Sequence, residues 1–236
     1  MTRRITSAPM GPAWHLRRGD RVMFRDRMDA GRSLGERLRE EHLEDPVVLG
    51  LPRGGVAVAA GVAEALGAPV DIVVVRKLGV PWQPELAFGA VAPGVVALRE
   101  DVIAAAGLQR PEIEAAAARE SAKLEELAGT YRGDVPRVPL RGRTAVIVDD
   151  GLATGATATA AARSVRREDP MRVVVAVPVC AAQTATALRR EVDSVVCLGE
   201  YSDFHAVGQY YEDFASVPDA EVRELIARSR RAHPGR

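Results

Sequence analysis

Short apolar runs rich in Val and Ile alternate with longer stretches whose apolar residues recur every three or four positions. The runs at residues 46–51 (PVVLGL), 70–75 (VDIVVV), 145–148 (AVIV), 172–179 (RVVVAVPV) and 193–198 (DSVVCL) predict five strands. Their apolar character is nearly continuous, as in parallel strands covered on both faces. Helices are predicted at residues 56–66, 111–128, 157–167, 181–191 and 219–231, with Pro111 suited to a first helical turn. A further helix is predicted from about Arg27, where Ala30, Leu34 and Leu38 share one face at four-residue spacing. Strands alternating with helices predict an α/β fold: a doubly wound, mainly parallel five-stranded sheet with helices on both faces. Residues 79–85 (GVPWQPE) carry too much Pro and Gly for regular structure. The next stretch, FGAVAPGVVALRED, alternates around Pro93-Gly94 and reads as a hairpin. Residues 1–20 have no periodic pattern and read as a loose tail before a single domain over 21–236.

Composition narrows the class. Apolar residues make up 47% of the chain, yet no run approaches the ~20 residues that span a bilayer. The N-terminus lacks a signal-peptide core, so a soluble, cytoplasmic protein is expected, with no membrane partner. Formal net charge is zero, which argues against a nucleic-acid partner. Cys180 and Cys197 lie in β-like apolar runs and read as buried reduced thiols, not as a zinc site. Only Lys77 and Lys123 among the 32 basic residues are lysine.

Candidate chemistry gathers in residues 144–157, TAVIVDDGLATGAT. Asp149 and Asp150 emerge at a strand's C-terminal end, where open α/β sheets put their ligands. A small, hydroxyl-rich turn, 151–157, then opens a helix, and backbone N–H groups there suit a phosphate. Carboxylates for hydroxyls and a pocket for a dianion together suit a sugar phosphate. A P-loop needs lysine where Ala156 stands, and a dinucleotide fingerprint needs G-x-G-x-x-G, which Gly151 and Gly155 do not supply. A second glycine turn, Pro52-Arg53-Gly54-Gly55, follows the first strand, and Gly54 and Gly55 permit close backbone approach to an anion. Arg76 and Lys77 close the second strand. Five of the ten aromatic residues fall within residues 201–214, namely Tyr201, Phe204, Tyr210, Tyr211 and Phe214. They form either a stacking lid for a planar base or a local mini-core.

VIVDDGLATGAT resembles the 5-phosphoribosyl-1-pyrophosphate (PRPP) motif of type I phosphoribosyltransferases, LPRGG their pyrophosphate loop, and VRKLGVP the Arg-Lys segment of adenine-type members. The resemblance implies that Asp149 and Asp150 hold the ribose hydroxyls. Ala153, Thr154, Gly155, Ala156 and Thr157 would wrap the 5-phosphate. Pro52, Arg53, Gly54, Gly55, Arg76 and Lys77 would meet the pyrophosphate, Pro52 and its neighbours through a non-proline cis peptide. It implies a magnesium ion that the acid pair approaches indirectly, a flexible loop at residues 78–100, a core over about 44–200, and a C-terminal hood at about 201–218 joined by N-terminal residues. It further implies a homodimer. Hood candidates for the acceptor are Phe24, Tyr201, Phe204, His205 and Tyr210; Glu85 or Glu100 would contact it if the loop closes. Ala153 stands where 6-oxopurine enzymes carry aspartate, so the resemblance is to adenine and uracil enzymes. The expected activity is transfer of ribose 5-phosphate from PRPP to a nitrogen nucleophile, with Asp149, Asp150, Arg53 and Lys77 as catalytic residues. The alternative is a non-catalytic PRPP- or nucleotide-binding regulator of the same fold.

Overall fold

A computed structural model describes residues 22–133 and 135–233; the tail expected at residues 1–20 lies outside the described residues. Helix α1 (Arg27–Arg39) precedes strand β1 (Pro46–Gly50) and helix α2 (Gly54–Leu66). After β2 (Val70–Ile72) come β3 (Arg76–Val80), β4 (Gln83–Ala92) and β5 (Val95–Leu98), then helices α3 (Glu100–Ala106) and α4 (Arg110–Arg132). The second half runs β6 (Thr144–Val148), α5 (Ala156–Arg166), β7 (Arg172–Ala181), α6 (Ala182–Leu188), β8 (Ser194–Tyr201) and α7 (Asp219–Ala232), with a 3-10 turn at Val207–Tyr210 before α7.

Five strands form one parallel sheet in the order β2-β1-β6-β7-β8. Register explains how both faces become core. Val48, Val146 and Val174 are neighbours on one face, where they pack with Leu34 and Leu38 of α1 and Val58 and Val62 of α2. Val47, Ala145 and Val173 point the other way, onto Ala158, Ala161 and Val165 of α5 and Leu188 of α6. The period of two in a strand thus turns an unbroken apolar run into two buried surfaces. Cys180 and Cys197 are free thiols, Cys180 within the α5-side core and Cys197 packed against it. Among the described residues no helix is long and apolar enough to cross a membrane.

Four departures from the sequence reading concern residues 70–132. The second strand stops at Ile72, and Arg76 and Lys77 instead open β3, in a separate antiparallel sheet β3-β4-β5. Residues 79–85, read as irregular, belong largely to β3 and β4. Their pairing slips on both sides of Gly79, and Gly79 faces Ala87 while Val80 faces Gln83. The bulge absorbs Pro84, which lacks a donor for a regular ladder, and Gly79 admits the Pro84 carbonyl, which lies 2.5 Å from where a Cβ would stand. Helix α3, seven residues long, has no counterpart in the sequence reading, and α4 runs four residues past the expected end. The hairpin around Pro93-Gly94 is present as β4 and β5.

Glycine sets the distance between α1 and α2. A Cβ on Gly31 would lie 2.2 Å from the Val58 carbonyl oxygen, and one on Gly61 2.7 Å from that of Met28. The backbones touch there, which brings the N-terminal end of α1 over the start of α2. Replacing Gly31 by Ala should therefore destabilise the fold by about 1–3 kcal/mol, the usual range for overpacking. A urea titration reads this as a lower midpoint with unchanged slope; an unchanged midpoint would contradict the close approach.

Candidate active site

At the C-terminal edge of β6 the chain leaves the sheet through Asp149 and Asp150. Asp149 Oδ1 accepts a hydrogen bond from the Asp150 backbone N–H at 2.9 Å. The turn after β1 presses against this pair. A Cβ on Gly55 would lie 2.9 Å from Asp149 Cα, and one on Gly54 only 2.1 Å from Asp150 Oδ2. Larger residues would push the carboxylates aside, so both glycines are required by approach. The Pro52–Arg53 peptide is cis, as the resemblance implied.

Beyond the acid pair, Leu152 pairs with the end of β7, its N–H bonding to Val179 O (3.0 Å) and its carbonyl to Ala181 N–H (2.9 Å). Thr184 of α6 donates to the Ala153 carbonyl at 2.6 Å. Gly155 then takes a left-handed conformation (φ 74°) as the N-cap of α5, where a Cβ would meet Thr184 Cγ2 at 2.6 Å. Among the described residues no side chain caps the first N–H groups of α5. The helix start therefore keeps its donors and positive dipole end for an anion.

These pieces line one cavity of about 560 Å³. Its wall includes Pro52, Arg53 and Gly54; Arg76 and Lys77; Asp149 and Asp150; and Ala153, Thr154, Gly155 and Thr157. Gly55 and Ala156 are outside the lining, as backbone neighbours of residues within it. Val207 closes one end, its methyls 2.7 and 2.9 Å from where a Cβ on Gly151 would be.

Burial and, next, the charge of Asp150 push Asp149 well above the ordinary carboxylate range. Burial raises Asp150 as well, opposed by the guanidinium of Arg27, whose Nε lies 2.9 Å from Asp150 Oδ2. Arg53 and Arg76 have acidic partners outside the pair: Arg53 with Asp219 at 3.8 Å, Arg76 with Glu120 at 2.8 Å. Lys77 makes no ion pair with a described residue.

The hood candidates sit elsewhere. Tyr201 and Phe204 stack on Tyr210 with centroids 4.7 and 5.4 Å apart, and Phe24 packs on Tyr211 at 5.7 Å. Together with Val22 and Val179 they make a small core, with Tyr210 fully buried. None of Phe24, Tyr201, Phe204, His205 and Tyr210 lines the cavity, and His205 is exposed. Glu85 on β4 and Glu100 on α3 are exposed and outside the lining too. The mini-core reading of the aromatic cluster is the one the packing matches. Sequence reasoning missed Arg27 and Val207 and named Tyr211 only within the aromatic cluster, although its hydroxyl donates to the Asp150 carbonyl at 2.7 Å. Arg27 sits in a run of charges, RDRMD, with nothing to separate it from a solvated helix start.

A carboxylic acid whose folded-state pKa is raised is destabilising once ionised. It lowers stability as pH climbs from its ordinary value toward the raised one. In ligand-free chain with a metal chelator, Asp149→Asn should therefore raise the unfolding midpoint at pH 7. The gain should shrink as the pH falls toward the ordinary aspartate value of about 3.9. Thermal melts across that window check this; an Asn variant less stable than the parent at pH 7 would contradict it.

Known proteins resemble this chain. A profile for the phosphoribosyl transferase domain matches residues 101–215. A Mycobacterium tuberculosis H37Rv protein provisionally named a phosphoribosyl transferase is 46% identical over 210 residues, covering 89% of this chain and 47% of its own length. The chain thus spans about half the length of the curated relatives it matches. The crystal structure of TT1426 from Thermus thermophilus superposes with a TM-score of 0.75 at 44% identity, covering 88% of this chain and 99% of that one. A hypothetical protein from Neisseria gonorrhoeae with bound ppGpp shares the fold at a TM-score of 0.50 and 14% identity, covering 89% and 98%. Residues 101–215, which carry the acid pair and the turn that opens α5, match the phosphoribosyl transferase domain, and the chain shares the fold of TT1426.

Proposed function

We propose that this chain transfers ribose 5-phosphate from PRPP to a nitrogen nucleophile and releases pyrophosphate. The observation carrying this reading is that the acid pair, the uncapped start of α5 and the 52–55 turn all line one cavity. On this reading Asp149 and Asp150 accept hydrogen bonds from the ribose hydroxyls, and the 153–157 turn takes the 5-phosphate. Pyrophosphate leaves toward Gly54, Arg53, Arg76 and Lys77. The sugar gains positive charge as the bond to pyrophosphate breaks, so two carboxylates beside it favour the transition state over the ground state. Positioning supplies the rest, because the acceptor needs only to be held near the anomeric carbon.

The residues present also suit magnesium. Among the described residues no group of three His, Cys, Asp or Glu could hold a metal, so an ion here would keep ligands from pyrophosphate and water, as magnesium commonly does. The two carboxylates, short of compensating charge, would attract it. When bound, it would neutralise the departing phosphates.

Val207 and the Gly151–Leu152 backbone border the acceptor end in this reading, and among the described residues no aromatic ring lines the cavity to sandwich a base. Adenine and uracil are the first acceptors to try, since Ala153 replaces the aspartate of 6-oxopurine enzymes.

Isotope-labelled PRPP with magnesium and a panel of bases and simple amines should release labelled pyrophosphate with at least one acceptor. Asp150→Asn should lower kcat/KM about 100-fold or more, the scale expected when one preorganised group facing developing charge is lost. Pyrophosphate release from no acceptor, or an unimpaired Asn variant, would sink the proposal.

A further inference from the structure

Arg27 is absent from the cavity lining, yet it makes the closest cationic contact with the acid pair. Its side chain is only 11% exposed. Nε points at Asp150 Oδ2 (2.9 Å), Nη1 donates to the Ala215 carbonyl (2.7 Å), and the guanidinium plane covers the Phe214 ring at 3.8 Å. Gly54 completes the enclosure: a Cβ there would stand 2.8 Å from Arg27 Nε as well as against Asp150. One guanidinium thus joins the start of α1, the acid pair, the 52–55 turn and the segment before α7. The glycine seam between α1 and α2 is what lets it reach.

We propose that Arg27 is the positioning residue of Asp150, gripping the carboxylate from behind and coupling its orientation to the 211–216 segment. This rests on the PRPP reading only for its consequence, not for the coupling itself. A carboxylate has two oxygens and several lone-pair directions. With Oδ2 engaged from behind by a fixed fork, the remaining directions are turned toward the cavity. The stack on Phe214 and the bond to Ala215 lock that fork, since planar guanidinium loses little freedom per bond formed. Tyr211, bonded to the Asp150 carbonyl, holds the same segment from the backbone side. Arg27 touches no ligand in this scheme. It acts through Asp150.

The experiment has a ligand-free arm and a ligand arm, on the full chain. Backbone hydrogen exchange is measured without ligand for the parent, Arg27→Gln, Arg27→Lys and Asp150→Asn. Both Arg27→Gln and Asp150→Asn should speed exchange across residues 211–216, because the first removes the guanidinium and the second the charge it pairs with, while Arg27→Lys keeps the cation and protects better than Gln. Exchange in Asp150→Asn unchanged from the parent, or Lys no better than Gln, overturns the coupling.

In the ligand arm, calorimetry with PRPP and magnesium should show Arg27→Gln binding about tenfold more weakly, the size of one lost charged hydrogen bond. The double variant should bind ribose 5-phosphate as Asp150→Asn does alone; an additive further loss would mean that Arg27 does not act through Asp150. If the parent itself does not bind PRPP, the proposed function falls, and the exchange arm still decides the role of Arg27.

Discussion

Two neighbouring, half-buried carboxylates at the end of the central strand are the constraint that organises this molecule. Burial disfavours both ionised forms, and the charge of Asp150 further disfavours that of Asp149. A core element would not retain such a pair for stability; apolar residues would serve better. Everything near it reads as compensation: a guanidinium from α1, the more distant Lys77 charge, and a backbone N–H from Asp150 itself. Compensation is partial, so the carboxylates stay above their ordinary range, and ligand hydroxyls or a cation would complete what the protein leaves short.

Compensation also dictates packing far from the pair. Arg27 reaches Asp150 only because α1 lies backbone to backbone on α2, through Gly31 and Gly61. The 52–55 turn approaches the same carboxylates only because Gly54 and Gly55 have no Cβ. On the outer side of the cavity the pressure is weaker. Arg53 and Arg76 pair with Asp219 and Glu120 at sites that are one third to one half exposed on the arginine side. Exposed pairs contribute about 0–1 kcal/mol, so a polyanion can compete for both arginines at small cost. The acid pair is thus held on several sides, while the cations at the outer edge of the cavity are loosely committed.

Much of this was legible in the sequence. Parallel strands buried on both faces leave apolar runs without alternation, and all five were located, together with the loops between β1 and α2 and between β6 and α5. The acid pair and the turn after it stood out because chemistry and position coincide at a strand's end. Illegible parts share a cause: they depend on partners distant in sequence. Nothing local separates Arg27, 123 residues from Asp150, from its charged neighbours. The aromatic cluster near residue 210 showed its density but not its direction. Whether rings face a ligand or one another depends on β7 and the N-terminal segment, which supply Val179, Val22 and Phe24. Residues 79–85 misled because Pro and Gly there signal a bulge within paired strands rather than a loop.

The most direct measurement is a crystal structure of the chain with magnesium and a non-hydrolysable PRPP analogue. The sugar hydroxyls should lie on Asp149 and Asp150, the 5-phosphate on the N–H groups opening α5, and the pyrophosphate against Gly54 and Lys77. Density for the analogue elsewhere, or with its 5-phosphate away from α5, would contradict the convergence of these three groups on one ligand.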